Sequence, residues 1–158
     1  MKNYQIEGKD GKMYWVHRAI AVSVFIGKLI GDEMHILALQ RGSGSPDFQG
    51  LWCCPCGYLD FDETLVESAC REVKEETGII INPSSLDQFY IADKPSQNLQ
   101  NVTVRFTAIM NTTDKQHPII GTEGEENEVA DAQWIPLSDI DDLLWAFDHD
   151  NIIKALFY

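Results

Sequence analysis

The chain has 158 residues, 44% of them hydrophobic, with seven Phe, five Tyr and four Trp, which is the size and composition of a single domain, 1–158, able to bury its own core without disulfide or metal staples. Its 25 acidic residues against 12 basic ones leave a net charge of −13, and this argues against a nucleic-acid backbone as the main partner, because phosphate chains need a basic surface to approach. No apolar run nears the roughly eighteen residues of a membrane span, and residues 1–11 are polar without the apolar core of a secretory signal, so a cytoplasmic chain with no membrane partner is expected.

In chain order, residues 19–25 (AIAVSVF) and 35–40 (HILALQ) read as strands separated by a glycine-containing turn. Residues 41–50 (RGSGSPDFQG) read as a loop and 51–54 as a short apolar strand ended by Pro55. A helix is expected over 65–77: Thr64 and Glu67 fit a capping box, Val66, Ala69, Val73 and Thr77 recur at helical spacing, and Gly78 supplies the stop. Strands are expected at 86–92, 101–110 and 128–135, the second with Val102, Val104, Phe106, Ala108 and Met110 on one face. Ser138 is read as capping a helix to about 146, and a last helix as running from about 150 to 156. Strands and helices interleave without a regular βαβ rhythm, which points to an α/β chain of the mixed α+β kind, a mixed sheet between helices.

Cys53, Cys54, Cys56 and Cys70 raise the question of zinc. The C-C-x-C spacing is not a pair of C-x2-C knuckles and no histidine lies nearby, so reduced, buried thiols are the plainer reading.

On a helical wheel Glu72, Glu75 and Glu76 fall within about 100° of one another. Three like charges there repel unless something cationic sits among them. A solvated acidic helix face would be the ordinary reading, but the frame around the cluster overrides it. From Gly57 the sequence runs GYLDFDETLVESACREVKEETGI, which fills every fixed position of G-x5-E-x7-R-E-U-x-E-E-x-G-U, U being aliphatic. Seven identities at typical residue frequencies coincide by chance about once in 10⁸ trials. This is a complete Nudix box, and the chain resembles a Nudix hydrolase; the approach QRG…GLWCCPCG and the late EVADAQWIPLSDI extend the resemblance over most of its length.

The resemblance implies a mixed sheet between helices, with the box as loop–helix–loop. It also implies a metal-dependent pyrophosphohydrolase in which water attacks a phosphorus of a nucleoside diphosphate linked to a further group. Glu72, Glu75 and Glu76 match the metal-holding glutamates, and hard oxygen ligands suit Mg²⁺ or Mn²⁺. Glu63 matches the loop glutamate that adds a ligand or pairs with the arginine, and Arg71 the arginine that orients the glutamates. Cys56 stands where many members have glycine, whose carbonyl can be a metal ligand. Gly57 is read as permitting a tight turn.

Outside the box, residues 121–128 (GTEGEENE) read as an acidic loop, either a solubilising surface loop or one from which Glu125, Glu126 or Glu128 could swing toward the metals. Glu126 stands as the candidate base, with Glu72 as an alternative. Arg18, Arg41 and Arg105 are the candidate substrate-binding cations, and Trp15, Trp52 and Tyr58 the candidate stacking rings. Pro95, sixteen residues past Ile79, sits where ADP-ribose-cleaving members carry a proline. The expected partner is a small nucleotide-derived substrate, with a homodimer left open. Two other functions compete with hydrolysis: a domain that senses a nucleotide without cleaving it, and an acidic protein-interaction domain.

Overall fold

The computed structural model describes residues 2–95, 100–120 and 127–158. In order they form strands β1 (Tyr4–Glu7), β2 (Met13–Val16), β3 (Ile20–Ile30), β4 (Glu33–Arg41), β5 (Trp52–Cys53) and β6 (Cys56–Tyr58), helix α1 (Leu65–Thr77), strands β7 (Asp87–Ala92), β8 (Val102–Met110) and β9 (Val129–Pro136), and helix α2 (His149–Phe157). Two short 3₁₀ turns lie at Pro83–Ser85 and Leu137–Asp142.

The main sheet runs β5-β4-β3-β8-β7, with β6 also on β3 and β9 also on β4. It is mixed: β3 and β8 are parallel, and the other pairs are antiparallel. β3 is apolar on both faces because both are covered. Val22, Val24 and Ile26 pack with Val104 and Phe106 under Ala69 and Val73 of α1. Phe25 on the opposite face packs with Ile36 and Ala38 against Ile153 of α2. The sheet is therefore sandwiched between helices, as the sequence pattern implies.

Helix α1 spans the expected residues. Thr64 Oγ1 accepts from Glu67 N (3.3 Å) and Glu67 Oε2 accepts from Thr64 N (2.7 Å), closing the capping box. Gly78 ends the helix at φ 69°, a left-handed conformation that favours glycine.

Three elements depart from the sequence reading. Residues 4–16 fold into an antiparallel hairpin outside the main sheet, where the sequence reading has residues 1–11 as polar and places no strand. Residues 56–58, inside what reads as a loop after Pro55, pair with β3. The helix expected over 138–146 is a 3₁₀ turn that stops at Asp142. Ser138 caps nothing: its N–H donates to Glu33 Oε1 at 3.2 Å. Residues 144–146 are instead drawn out along β5, where Trp52 N donates to Leu144 O and Ala146 N donates to Trp52 O, both at 2.8 Å. Among the described residues no helix is long and apolar enough to cross a membrane.

Candidate active site

Helix α1 buries an apolar stripe and, beside it, Glu72 and Glu76, which are 9% and 4% exposed. Arg71 organises the cluster. Its Nε and Nη2 donate to Glu63 Oε2 (3.0 Å) and Oε1 (2.8 Å), a two-pronged pair of the strongest geometry an arginine offers. Its Nη1 donates to Glu72 Oε1 (2.8 Å) and Glu75 Oε2 (3.1 Å), and Nη2 also reaches Tyr58 O (3.0 Å). One guanidinium thus ties the loop glutamate, two helix glutamates and β6 together. Glu76 lies apart from it, accepting from Cys56 N at 2.9 Å. Among the described residues no three His, Cys, Asp or Glu side chains are drawn into one ligand cage, since Arg71 and the Cys56 backbone hold these carboxylates.

The carboxylates divide by environment. Arg71, whose own charge Glu63 and the other partners reinforce, holds the Glu63 carboxyl down to about 2. Burial pushes Glu72 up to about 7 against the pull of Arg71, with Glu75 and Glu128 adding repulsion. Burial also drives Glu76 well above the ordinary range, helped by Cys56 and Glu72. Two buried carboxylates that are costly to ionise, with a cation paired to Glu72 alone, are a site short of positive charge.

Gly57 has a different task from the turn the sequence implies. It lies in β6, paired with Val22, and has no positive φ. Its missing side chain makes room for the Glu72 carboxylate, which packs directly against its Cα.

A cleft of about 350 Å³ opens from Cys56, Gly57 and Tyr58 across the sheet to Arg105 and the Phe147–His149 turn. Arg41 and Arg105 line it, whereas Arg18 does not; Arg18 holds the chain at Gln100 O and Asn101 O (2.9 Å to the latter). Arg41, 7% exposed, is paired with Asp47 Oδ1 at 2.8 Å and sits 5.1 Å from the Phe147 ring. Arg105 lies 5.3 Å over the Tyr90 ring. Glu125 and Glu126 fall outside the described residues. Glu128 is described and lines the cleft near Glu72 and Glu76. Its backbone is gripped by the 42–45 loop, through Gly42 N (2.6 Å) and Ser45 Oγ (2.9 Å) to Glu128 O. Tyr58 borders the cleft, while Trp15 stands on the separate hairpin and Trp52 packs into the core. All four cysteines are free thiols; Cys53 and Cys54 are fully buried, and the neighbouring Cys53 thiol and burial push the Cys56 thiol well above its usual range. Sequence reasoning passed over Ser23, Phe147 and His149, which also line the cleft. The one signal was Ser23 itself, a lone polar residue in an apolar strand.

The model of the NUDIX domain family matches residues 17–156. The chain belongs to the Nudix family. An ADP-ribose pyrophosphatase of Methanocaldococcus jannaschii is 31% identical over 152 residues, 94% of this chain and 80% of the relative. The NUDIX domain of Shewanella oneidensis NrtR, solved in complex with ADP ribose, superposes with a TM-score of 0.73 at 26% identity, over 88% of this chain and 86% of that one. A bifunctional NMN adenylyltransferase/ADP ribose pyrophosphatase of Francisella tularensis shares the fold, with a TM-score of 0.65 at 24% identity over 88% of this chain and 41% of that one. In this Nudix hydrolase the box is the loop–helix–loop from Gly57 to Ile79, and α1 is its helix.

Proposed function

We propose that this Nudix hydrolase is a Mg²⁺- or Mn²⁺-dependent pyrophosphohydrolase that cleaves ADP-ribose or a closely similar nucleoside diphosphate derivative. The observation that carries the reading is the burial of Glu72 and Glu76 beside a cleft, where Arg71 pairs with Glu72 and Glu76 is held by the Cys56 N–H. Such carboxylates gain most from a hard divalent ion, whose preferred ligands are oxygens. Glu72, Glu75 and Glu76 would hold it, with the Cys56 carbonyl as a further oxygen. The bound ion supplies charge neutralisation at the phosphate oxygens and an activated water.

The chain's own residues do the rest. Glu63 locks Arg71, and Arg71 in turn fixes the rotamers of Glu72 and Glu75. Glu128, anchored through its backbone and lining the cleft, is well placed to take the proton of an attacking water. Glu126 remains proposed for the same duty. Arg41 and Arg105 supply positive charge along the cleft on a chain whose net charge is −13. The M. jannaschii relative and the ADP-ribose-bound NUDIX domain favour ADP-ribose within the class, as does Pro95.

A panel of ADP-ribose, nucleotide sugars, nucleoside triphosphates and dinucleoside polyphosphates, assayed with Mg²⁺ and with products identified, tests the reading. AMP and ribose 5-phosphate from ADP-ribose are expected, with turnover abolished by EDTA. Tight binding of ADP-ribose without any turnover would make the chain a nucleotide sensor instead.

A further inference from the structure

One row of residues crosses the sheet from Tyr90 on β7 through Arg105 on β8 and Ser23 on β3 to Cys56 on β6, each in register with the next. Register partners project on one face, and Arg105, Ser23 and Cys56 line the cleft. Neighbouring strands are roughly 5 Å apart, so the Arg105 backbone lies about 10 Å from that of Cys56 and the carboxylates beside it.

Two buried hydrogen-bond donors at this end of the cleft have no partner among the described residues, and His149 lines the same end. Ser23 is 1% exposed, and its Oγ is unpaired. Arg105 Nε is buried and unpaired, and the guanidinium makes no ion pair; its only contact of note is the Tyr90 face. His149 is 3% exposed, and its Nδ1 accepts from Cys54 N at 3.0 Å. The ring proton therefore sits on Nε2, free of any hydrogen bond to the described residues. Buried donors without acceptors are costly and rare in native folds. The wall beside them carries strain as well: Phe147 and Asp148 are successive non-glycine residues at φ 60° and 58°, in the left-handed region.

We propose that Ser23, Arg105 and His149 form a metal-independent cradle for the phosphate of the substrate's diphosphate that lies farther from the box glutamates. The inference rests on the hydrolase reading above and adds how the two phosphates are told apart. A phosphate offers several lone pairs, a negative charge and no donor of its own, which complements three donors and one unpaired guanidinium. A nucleobase edge or a ribose would bring N–H or O–H groups against the same donors. Arg41 cannot take this role freely, because Asp47 already holds it. Asp148 and Glu128 also line the cleft, and Asp148 acts on Arg105 only through space. With one phosphate at the carboxylates and the other on this row, the bridging oxygen lies between them.

Calorimetric titration of the whole chain with ADP and with adenosine, in EDTA so that no divalent ion contributes, tests the cradle. Wild type is expected to bind ADP more tightly than adenosine. Arg105→Gln is expected to weaken ADP at least about tenfold and adenosine less than about twofold, with Arg105→Lys recovering part of the loss and Ser23→Ala costing a few-fold for ADP alone. Thermal melts accompany each variant; if Arg105→Gln does not fold, Arg105→Lys and Ser23→Ala carry the comparison. Failure of wild type to prefer ADP in EDTA, unchanged ADP affinity in the variants, or equal losses for ADP and adenosine would each overturn the proposal. Absence of ADP-ribose turnover with Mg²⁺, alongside intact ADP binding in EDTA, would remove the hydrolase reading and leave the cradle standing.

Discussion

The carboxylate of Glu72 is packed against the bare Cα of Gly57, and a methyl group built on that Cα would overlap both carboxylate oxygens and the carbon between them. The backbone of Gly57 is ordinary strand, so Gly57→Ala strains no φ and acts by displacing Glu72. A fall in kcat of at least about 100-fold, near 3 kcal/mol of transition-state stabilisation, is expected with only a small change in melting temperature. Wild-type turnover in Gly57→Ala would show that the position of Glu72 is unimportant.

Arg71 joins Glu63, Glu72 and Glu75, and its planar fork cannot be reproduced by an ammonium. Arg71→Lys is expected to lower kcat about 10- to 100-fold while keeping the fold, whereas Arg71→Ala strands partly buried carboxylates and costs about 3 kcal/mol of stability as well. Kinetics and urea unfolding of both variants separate the two effects. Equal stability losses in Lys and Ala would mean that charge alone matters.

Glu75→Gln and Glu76→Gln each remove a charged oxygen ligand of the proposed site while leaving nearly the same volume, and each is expected to reduce kcat by at least about 100-fold. Glu67→Gln is the control on the same helix. Glu67 accepts from Thr64 N and Oγ1 (both 2.7 Å), so it serves the cap, and its loss is expected to lower the melting temperature slightly without touching turnover. Matching kcat losses at Glu67 and Glu76 would reduce the acidic face to a stability feature.

The pH dependence of the metal-free chain follows from opposite shifts. Glu63, held down to about 2 by Arg71, stabilises the fold above its unfolded value of about 4.5, and that contribution is lost as pH falls from there toward 2. Glu72, pushed up to about 7 by burial, does the reverse. Between about 4.5 and 7 the folded state binds the extra proton, so stability declines as pH rises through that window. Glu76 is shifted in the same direction. A divalent ion replaces those protons, so Mg²⁺ should raise the melting temperature more at pH 8 than at pH 5.5. A Mg²⁺ effect that is equal at both pH values would dissociate the ion from these carboxylates.

Cys56 donates its backbone N–H to Glu76, a bond that glycine makes equally well. Cys56→Gly is therefore expected to keep activity within about tenfold, or 1.4 kcal/mol, and the purified wild type to contain well under one zinc per chain. Stoichiometric zinc that disappears in Cys56→Gly, together with collapse of activity, would assign the thiol to a metal instead.

Much of α1 was legible because its signals are local. The capping box, the apolar period and the glycine stop all lie within one turn or two of the bonds they make, so no distant contact can reverse them. The strand signals are as strong in β3 and β4, which are largely buried, and in β8, whose Val104, Phe106, Ala108 and Met110 bury one face by alternation. The 138–146 segment was misleading for the opposite reason. Its helical pattern is weak, and two hydrogen bonds from Trp52, more than ninety residues away, pull its second half straight. The hairpin of 4–16 had only two four-residue signals, the alternation of Tyr4 to Glu7 and the apolar run of Met13 to Val16, each too short to stand alone.

The fixed positions from Gly57 to Ile79 were enough to identify the box, and within it residues three and four apart on the helix must share a face whatever else the chain does. Sequence alone therefore identified the family and placed Glu72, Glu75 and Glu76 on one side of one helix. It did not reveal that Gly57 serves as a recess for Glu72, that Glu63 is committed to Arg71, or that Ser23, Arg105 and His149 meet at the far end of one cleft. Those are relations between strands and turns up to about 126 residues apart in the chain, and only strand register and the packing of the 147–149 turn onto the sheet bring them together. Local periodicity places a side chain on a face; which faces meet is decided by tertiary burial.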